Sequence, residues 1–300
     1  MKLYAPRYYS DFVCIADKCT HSCCIGWEVD VDQSALERYE NLVNPYRDEI
    51  MKSISFEGEP HFTLCDDERC PHLNDAGLCK IILSAGEDYL CDICREHPRF
   101  YNNSPSRSEV GLGMACEEAS RIILSRDDYD CYVTVGETDC EEQPDSFDPL
   151  PLREEIWSRL KADSTYEEKL NGIYGHFGVS PAMFTDEYWR GVLDEAEYLY
   201  SEHKEMFAAY TSSTATPKKY AKQLERALAY YVARHCTEAQ SHEDFLSRLG
   251  FALFCERLLA SLITRLPKVN IITLAVAVSE ELEYCEENTE KILICFDSAL

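Results

Sequence analysis

Residues 14–24 read Cys14-Ile-Ala-Asp-Lys-Cys19-Thr-His-Ser-Cys23-Cys24, which places four cysteines on one short stretch of chain. Ligands on a short loop can surround one metal centre at little additional entropy cost. Cys23 and Cys24 are neighbours whose side chains diverge on a helix or a strand, so either a loop lets both bind or only one is a ligand. The stretch therefore predicts a metal-organised N-terminal domain, against the alternative that these cysteines only pack in a small core.

A second group of cysteines follows. It comprises Cys70-Pro-His-Leu-Asn-Asp-Ala-Gly-Leu-Cys79, then Cys91-Asp-Ile-Cys94, and then Cys116. The C-x2-C spacing of Cys91 and Cys94 occurs in zinc knuckles and in iron-sulfur sites, and a [4Fe-4S] cluster takes four thiolates. The groups predict an iron-sulfur cluster or zinc, with some cysteines spare. Histidines within the groups could complete a zinc site or simply be exposed: His21, His72 and His97.

Composition and the N-terminus indicate a cytoplasmic protein. The start, Met1 to Tyr9, lacks the apolar region of a secretory signal, and no run approaches the roughly 20 apolar residues of a membrane helix. Cytosolic thiols are kept reduced, so 16 cysteines favour metal binding over disulfides. We therefore expect no membrane association.

The chain is strongly acidic. It has 29 basic and 55 acidic side chains, for a formal net charge of -26. Such a charge repels nucleic-acid phosphates and disfavours nucleic-acid binding, so that a basic or neutral protein partner is expected.

The sequence predicts two domains in a mainly α protein. Residues 1–138 form an irregular cysteine-rich metal-binding domain, because turn-forming clusters such as Gly58-Glu59-Pro60 keep its elements short. Residues 139–151 are polar and proline-rich and read as a linker or surface loop. Residues 152–300 form an all-helical domain.

Several helices are predicted in the second half. Ser164 and Glu167 form a candidate capping box. Apolar residues at three- and four-residue spacing, and runs of helix formers, predict the helices that follow: Tyr188 to Tyr210, Tyr220 to His235, Phe245 to Ile263 and Ile271 to Cys295.

Six blocks of sequence, in one order, resemble the FliB-type flagellin lysine-N-methylases, which share cysteine motifs with YkgJ-type zinc- or iron-chelating domains. The blocks lie mainly in the first 125 residues: Pro6 to Ile15, Cys19 to Asp30, Cys70 to Cys79, Leu83 to Leu90, Cys94 to Arg99 and Cys116 to Arg121. A further similarity covers Leu224 to Arg234.

The resemblance implies a protein-lysine N-methylase that uses a [4Fe-4S] cluster and S-adenosyl-L-methionine and acts on flagellin or a similar protein. The alternative is a non-catalytic zinc- or iron-binding interaction module. The cysteines of the blocks are expected to come together as metal ligands: Cys19, Cys23, Cys24, Cys70, Cys79, Cys94 and Cys116. The C-x3-C-x2-C pattern of radical S-adenosylmethionine enzymes is absent, because Gly26 stands where its third cysteine would be.

No residue is assigned a catalytic role from the sequence. Aromatic and acidic residues beside the first cysteine group could hold a sulfonium donor, in part through cation-π attraction, or could instead cover the metal centre. These residues are Tyr8, Tyr9, Trp27, Glu28 and Asp30.

Overall fold

Strands account for much of the regular structure in the first half of the chain, in a computed structural model that describes residues 1–143, 146–211 and 215–300. The strands are β1 (Lys2–Pro6), β2 (Val29–Asp30), β3 (Ile54–Ser55), β4 (His61–Phe62), β5 (Arg99–Asn103), β6 (Ser108–Leu112) and β7 (Tyr132–Glu137).

Helices lie between these strands and make up the regular structure of the second half. They are α1 (Gln33–Glu40), α2 (Arg47–Lys52), α3 (Lys80–Ala85), α4 (Asp92–Glu96), α5 (Glu117–Ile123), α6 (Leu150–Leu160), α7 (Tyr166–Phe177), α8 (Asp186–Asp194), α9 (Ser201–Phe207), α10 (Ala221–Cys236), α11 (His242–Arg265), α12 (Ile271–Glu283) and α13 (Glu286–Asp297). Short 3-10 turns cover Arg7–Asp11, Ala16–Lys18, Glu87–Tyr89, Pro181–Met183 and Lys218–Tyr220.

The chain divides into two compact units. The first, which we call the insert unit, is Val13–Pro98, and the second, the main unit, combines Met1–Phe12 with Arg99–Leu300. The boundaries predicted at residues 139–151 stay a prediction, and Pro144 and Asp145 within that segment lie outside the described residues.

The insert unit has a small antiparallel sheet with strand order β2-β4-β3. Phe62 of the central strand pairs with Val29 on one side and Ile54 on the other. The turn between β3 and β4 contains Gly58, whose φ of +83° suits glycine, as expected for this turn cluster. Asp32 is the N-cap of helix α1, and its carboxylate accepts a hydrogen bond from the amide of Ala35 at 2.8 Å.

The main unit contains a sheet with strand order β5-β6-β1-β7. β1 lies inside it, parallel to β6 and antiparallel to β7, while β5 and β6 form an antiparallel hairpin. The residue after the insert unit contacts the residues before it, because Arg99 Nε donates to the Tyr9 hydroxyl at 2.8 Å and its guanidinium lies 5.7 Å from the Phe12 ring. The two ends of the excursion through Val13–Pro98 are thereby held together within the main unit.

Helix α11 is the centre of the helical part. Every residue from Leu249 to Ile263 is buried, as expected for a helix that is apolar on nearly all sides. The helices predicted over Tyr220 to His235 and over Phe245 to Ile263 are confirmed as α10 and α11.

Two predicted helices are each split in two, and the capping box lies one residue further along. The segment Tyr188 to Tyr210 breaks after Asp194, because side chains capture the backbone amides that would continue the helix: Glu281 accepts from Leu199 N and Tyr200 N, and Asn288 from Glu197 N.

Thr165 and Glu168 form the capping box at the start of α7.

The segment Ile271 to Cys295 is also two helices, α12 and α13. Asn288 donates to the Glu281 carbonyl, and Thr289 to the Leu282 carbonyl, so that side chains satisfy the last carbonyls of α12. A helix end with its orphan carbonyls satisfied needs no glycine or proline, and neither stands here.

The prediction of a mainly α chain is correct for one part and wrong for the other. Within the described residues after Pro149, the regular elements are helices. The N-terminal part, expected to be irregular, contains two sheets, so the chain is a mixed α/β protein. Several of its strands are only two residues long, too short for an alternating pattern. Among the described helices, none is long and apolar enough to cross a membrane.

A buried ion pair joins the sheet of the main unit to its helices. Arg153 on α6 is fully buried and donates two hydrogen bonds to the Glu109 carboxylate on β6, at 2.6 and 2.8 Å. It also donates to Thr237 Oγ1, just after α10, at 2.6 Å. Its guanidinium lies 4.4 Å from the Trp157 ring.

Replacing Arg153 by Met is expected to lower the free energy of unfolding by about 3 kcal/mol, because it removes a basic partner from a buried carboxylate and leaves Arg107 as the remaining one among the described residues. The matched control is Arg159→Met on the same helix, where Arg159 pairs with Glu155 and the two side chains are 32% and 39% exposed. That change should remove less than about 0.5 kcal/mol. Urea denaturation followed by circular dichroism measures both, and equal losses would contradict the prediction.

Candidate metal centre

Five cysteines of the insert unit lie in or against its apolar core. Cys70 and Cys91 belong to the core itself, beside residues such as Phe62, and three half-buried cysteines pack against it: Cys24, Cys79 and Cys94. We call these five the thiol cluster. Three further cysteines of this unit are exposed: Cys14, Cys23 and Cys65.

Backbone pairing brings Cys24 beside Cys70. The amide of Cys70 donates to the Cys24 carbonyl at 2.9 Å, and the amide of Gly26 donates to the Glu68 carbonyl at 2.9 Å. Gly26 has a φ of +81°, which allows the tight turn after Cys24. The first cysteine group is therefore a loop paired antiparallel to the start of the second group.

The segment from Cys70 to Cys79 forms a closed loop. Leu73 and Cys79 form an antiparallel bridge, and Lys80 N donates to the His72 carbonyl at 2.7 Å. The Asn74 side chain accepts the amides of residues 76 and 78, both at 2.9 Å, which fixes the turn. Both cysteines of this motif are thus positioned by one short, hydrogen-bonded segment.

Cys91 and Cys94 are placed by the short helix α4. Cys91 is the residue before its first turn, and Cys94 follows three residues later, which puts both on neighbouring parts of the helix surface. The Tyr39 hydroxyl lies 3.2 Å from Cys91 Sγ. This contact ties α4 to α1.

The thiols of the cluster act on one another electrostatically. Burial raises the pKa of Cys70 to about 12, and the charges of Cys24, Cys79 and Cys91 add to the increase. Burial also raises the pKa of Cys94, with contributions from all four of its neighbours in the cluster. The pKa values of Cys70 and Cys94 are therefore higher when neighbouring thiols of the cluster are ionised.

Cys24 differs from the other four. A hydrogen bond with the Cys23 thiol lowers its pKa to about 7 against the opposing effect of burial, with help from Ser22 and Arg69. Burial raises the pKa of Cys91 to about 11, although the Tyr39 hydrogen bond opposes this. The cluster thus combines one readily ionised thiol with others that need a nearby positive charge to become thiolates.

The predicted ligands have different positions. Cys24, Cys70, Cys79 and Cys94 belong to the cluster, whereas Cys23 is exposed beside it. Cys19 donates from Sγ to the His21 carbonyl at 2.8 Å. Cys116 lies in the main unit, where it precedes α5. The set as a whole stays a prediction, and within the described residues no group of three or more His, Cys, Asp or Glu side chains is arranged to hold a metal ion.

Cys91 belongs to the thiol cluster but not to the set of metal ligands predicted from the sequence. Its C-x2-C spacing to Cys94 was the available signal. The apolar residues that bury it, including Tyr39 and Phe62, come from distant parts of the insert unit, and their proximity to Cys91 is not visible in the sequence.

Of the histidines considered as zinc ligands, His72 has both ring nitrogens engaged within the protein. Nδ1 lies 2.7 Å from the Tyr46 hydroxyl and Nε2 lies 2.9 Å from Ser53 Oγ. The ring packs edge-on against Phe62, with ring centroids 4.6 Å apart, and burial lowers the pKa of His72 to about 4. We interpret His72 as a neutral packing residue. For His21 and His97, ligation stays a prediction.

Replacing His72 by Ala is expected to lower the free energy of unfolding of the metal-free protein by about 2–4 kcal/mol, since it opens a cavity and removes a hydrogen-bond partner from Tyr46 and Ser53. The matched control is His61→Ala, because the His61 side chain is 23% exposed and its Nδ1 lies 2.8 Å from the Glu59 carbonyl and 3.8 Å from the Glu28 carboxylate. That change should lower it by less than about 1 kcal/mol. Urea denaturation under reducing conditions tests both, and a larger loss for His61→Ala would refute the interpretation of His72.

Comparison with known proteins finds three bacterial relatives. The flagellar biosynthetic protein FliU of Salmonella muenchen is 25% identical over 131 residues, which are 41% of this chain and 77% of that protein. The lysine-N-methylases of Salmonella choleraesuis and Salmonella typhimurium are each 24% identical over 131 residues, 41% of this chain but only 32% of their own length. No protein-family model and no solved structure matches. The chain is therefore a distant homologue, over part of its length, of the flagellar protein FliU and of lysine-N-methylases.

Proposed function

We propose that this chain is a protein-lysine N-methylase that uses S-adenosyl-L-methionine as the methyl donor. The observation that carries the proposal is the similarity to two lysine-N-methylases over 131 residues. The relationship to a flagellar biosynthetic protein supports flagellin, or a similar flagellar protein, as the substrate. A net charge of -26 favours an encounter with lysine-rich segments of such a partner.

We further propose that the thiol cluster holds a [4Fe-4S] cluster. The donors fit this group chemically, because it takes four cysteine thiolates and the insert unit packs five cysteines in and against one core. Four of Cys24, Cys70, Cys79, Cys91 and Cys94 would be the ligands. Bound iron would supply the positive charge that thiolates in an apolar core require.

The alternative function is a non-catalytic zinc- or iron-binding interaction module. It is favoured by one observation: the similarity spans only 32% of each lysine-N-methylase, so the shared part need not contain the methyl-transfer site. Zinc accepts the same thiolates but is colourless, whereas an iron-sulfur cluster gives a broad absorption band near roughly 400 nm.

The activity is tested by incubating anaerobically purified protein with flagellin and labelled S-adenosyl-L-methionine, followed by mass spectrometry of flagellin peptides. We expect a mass gain of one or more methyl groups on lysine. Unmodified flagellin, together with a colourless protein that contains zinc, would favour the interaction module instead.

The double substitution Cys70→Ser/Cys91→Ser is expected to reduce bound iron to near zero, because it removes the two cysteines of the cluster that belong to the buried core. The matched control is Cys14→Ser/Cys65→Ser, which changes two exposed cysteines of the same unit. It should keep iron per chain at the parent value, as should substitution of buried Cys255 in the main unit.

Iron and sulfide analysis of anaerobically reconstituted protein measures these contents. Loss of metal also removes folding free energy, so circular dichroism accompanies each variant. Parent-level iron in a folded Cys70→Ser/Cys91→Ser protein would place the metal elsewhere.

A further inference from the structure

A cleft of about 380 Å³ opens in the main unit among β5, the end of α10, α11 and the first turns of α13. This volume lies in the range of small-ligand pockets. Four carboxylates line it, and we call it the acidic cleft: Glu238, Glu283, Glu286 and Glu290. Phe100 and Leu293 add apolar surface.

The positive charges that line the cleft are already paired. Arg234 lies 3.4 Å from the carboxylate of Glu283, which is fully buried. Arg248 pairs with Asp244 at 2.7 Å. Neither guanidinium is therefore available to neutralise the remaining carboxylates.

His235 is also engaged within the protein. Its Nε2 lies 2.7 Å from the Glu283 carboxylate, and its ring packs against Phe251. Burial lowers the pKa of His235, together with the charges of Arg234 and Arg248, although Glu283 opposes the shift. The imidazole therefore already contacts Glu283, not the exposed carboxylates of the cleft.

Glu286 and Glu290 carry the uncompensated charge. They lie one turn apart on α13 and are exposed, and in the described parts of the chain no Lys, Arg or His nitrogen lies within 4.0 Å of either carboxylate. Like charges at this spacing repel each other. Glu238, across the cleft, accepts a long hydrogen bond from Asn103 N at 3.4 Å.

Two glycines pack against residues that line the cleft. A Cβ on Gly111 would overlap the Phe100 ring, and one on Gly113 would overlap the Tyr284 hydroxyl and lie 2.8 Å from an Arg234 nitrogen. Arg234 stacks on both aromatic rings, 5.0 Å from that of Phe100 and 4.4 Å from that of Tyr284. The Gly111-Leu112-Gly113 sequence thus lets the backbone approach this stack closely.

We propose that the acidic cleft binds an aliphatic ammonium group, and specifically a lysine side chain presented by a protein substrate. The ammonium has three N–H donors for Glu238, Glu286 and Glu290, while its methylene stem contacts Phe100 and Leu293. Net negative charge at a partly apolar, concave site selects such a cation over an anionic or purely apolar ligand. That the lysine is a methyl acceptor rests on the proposed function.

The test is calorimetric titration of the full chain with Nα-acetyl-lysine methylamide, with Nα-acetyl-norleucine methylamide as the uncharged probe of similar shape. The lysine probe should bind saturably and about tenfold more tightly than the norleucine probe. Glu286→Gln/Glu290→Gln should raise its Kd about fivefold, because two carboxylates of the site lose their charge.

The matched control is Glu243→Gln/Glu287→Gln, which removes the same charge from two exposed helical positions outside the cleft and should change Kd less than about twofold. Absence of saturable binding, equal affinity for the two probes, or equal effects of the two double variants would overturn the proposal.

The methylation assay separates the two proposals. Lysine binding that depends on Glu286 and Glu290, in a protein that methylates nothing, would overturn the proposed function and keep the cleft. Methylation with an unchanged KM in Glu286→Gln/Glu290→Gln would overturn the cleft and keep the function.

Discussion

Strand β1 is the element on which the main unit depends. It pairs with β6 on one side and β7 on the other, so its five residues connect the hairpin β5-β6 to the edge strand. Arg99 then holds Tyr9 and Phe12, the last residues before the insert unit, beside the first residue after it. Closing the ends of a long excursion costs conformational entropy, and strand pairing together with this contact offsets that cost locally. The insert unit has an apolar core of its own.

The sequence predicted the elements that residues near in the chain determine, and it missed the features that depend on residues far away in the chain. Helices α10 and α11 follow from apolar spacing alone. The break after Asp194 does not, because it results from capture of backbone amides by Glu281, far along the chain. Likewise the motifs predict Cys24, Cys70, Cys79 and Cys94, but the buried position of Cys91 involves a contact with Tyr39, some fifty residues earlier in the chain. Two-residue strands such as β2 give no alternation to detect.

Acidic side chains occur in two physical settings in the main unit. Several buried ones have a basic partner: Glu225 with Lys169, Glu256 with Arg257, Glu281 with His203, and Glu283 with Arg234. Breaking such a pair would leave an uncompensated charge in the core, so these contacts constrain how the helices pack more than they add stability. Glu286 and Glu290 at the cleft, by contrast, are exposed to solvent. The same residue type is therefore buried and paired in one place and solvent-exposed in another.

The parallel pairing of β1 with β6 also has a consequence for synthesis on the ribosome. Leu3 pairs with Ser108, roughly a hundred residues later, so at about 5–20 residues per second β1 waits about 5–20 s before its parallel partner has been made. Its other partner, β7, follows later still. Val13–Pro98 is synthesised within this interval. The order of translation thus completes the whole cysteine-bearing unit before β6 and β7, the two partners of β1, have been made.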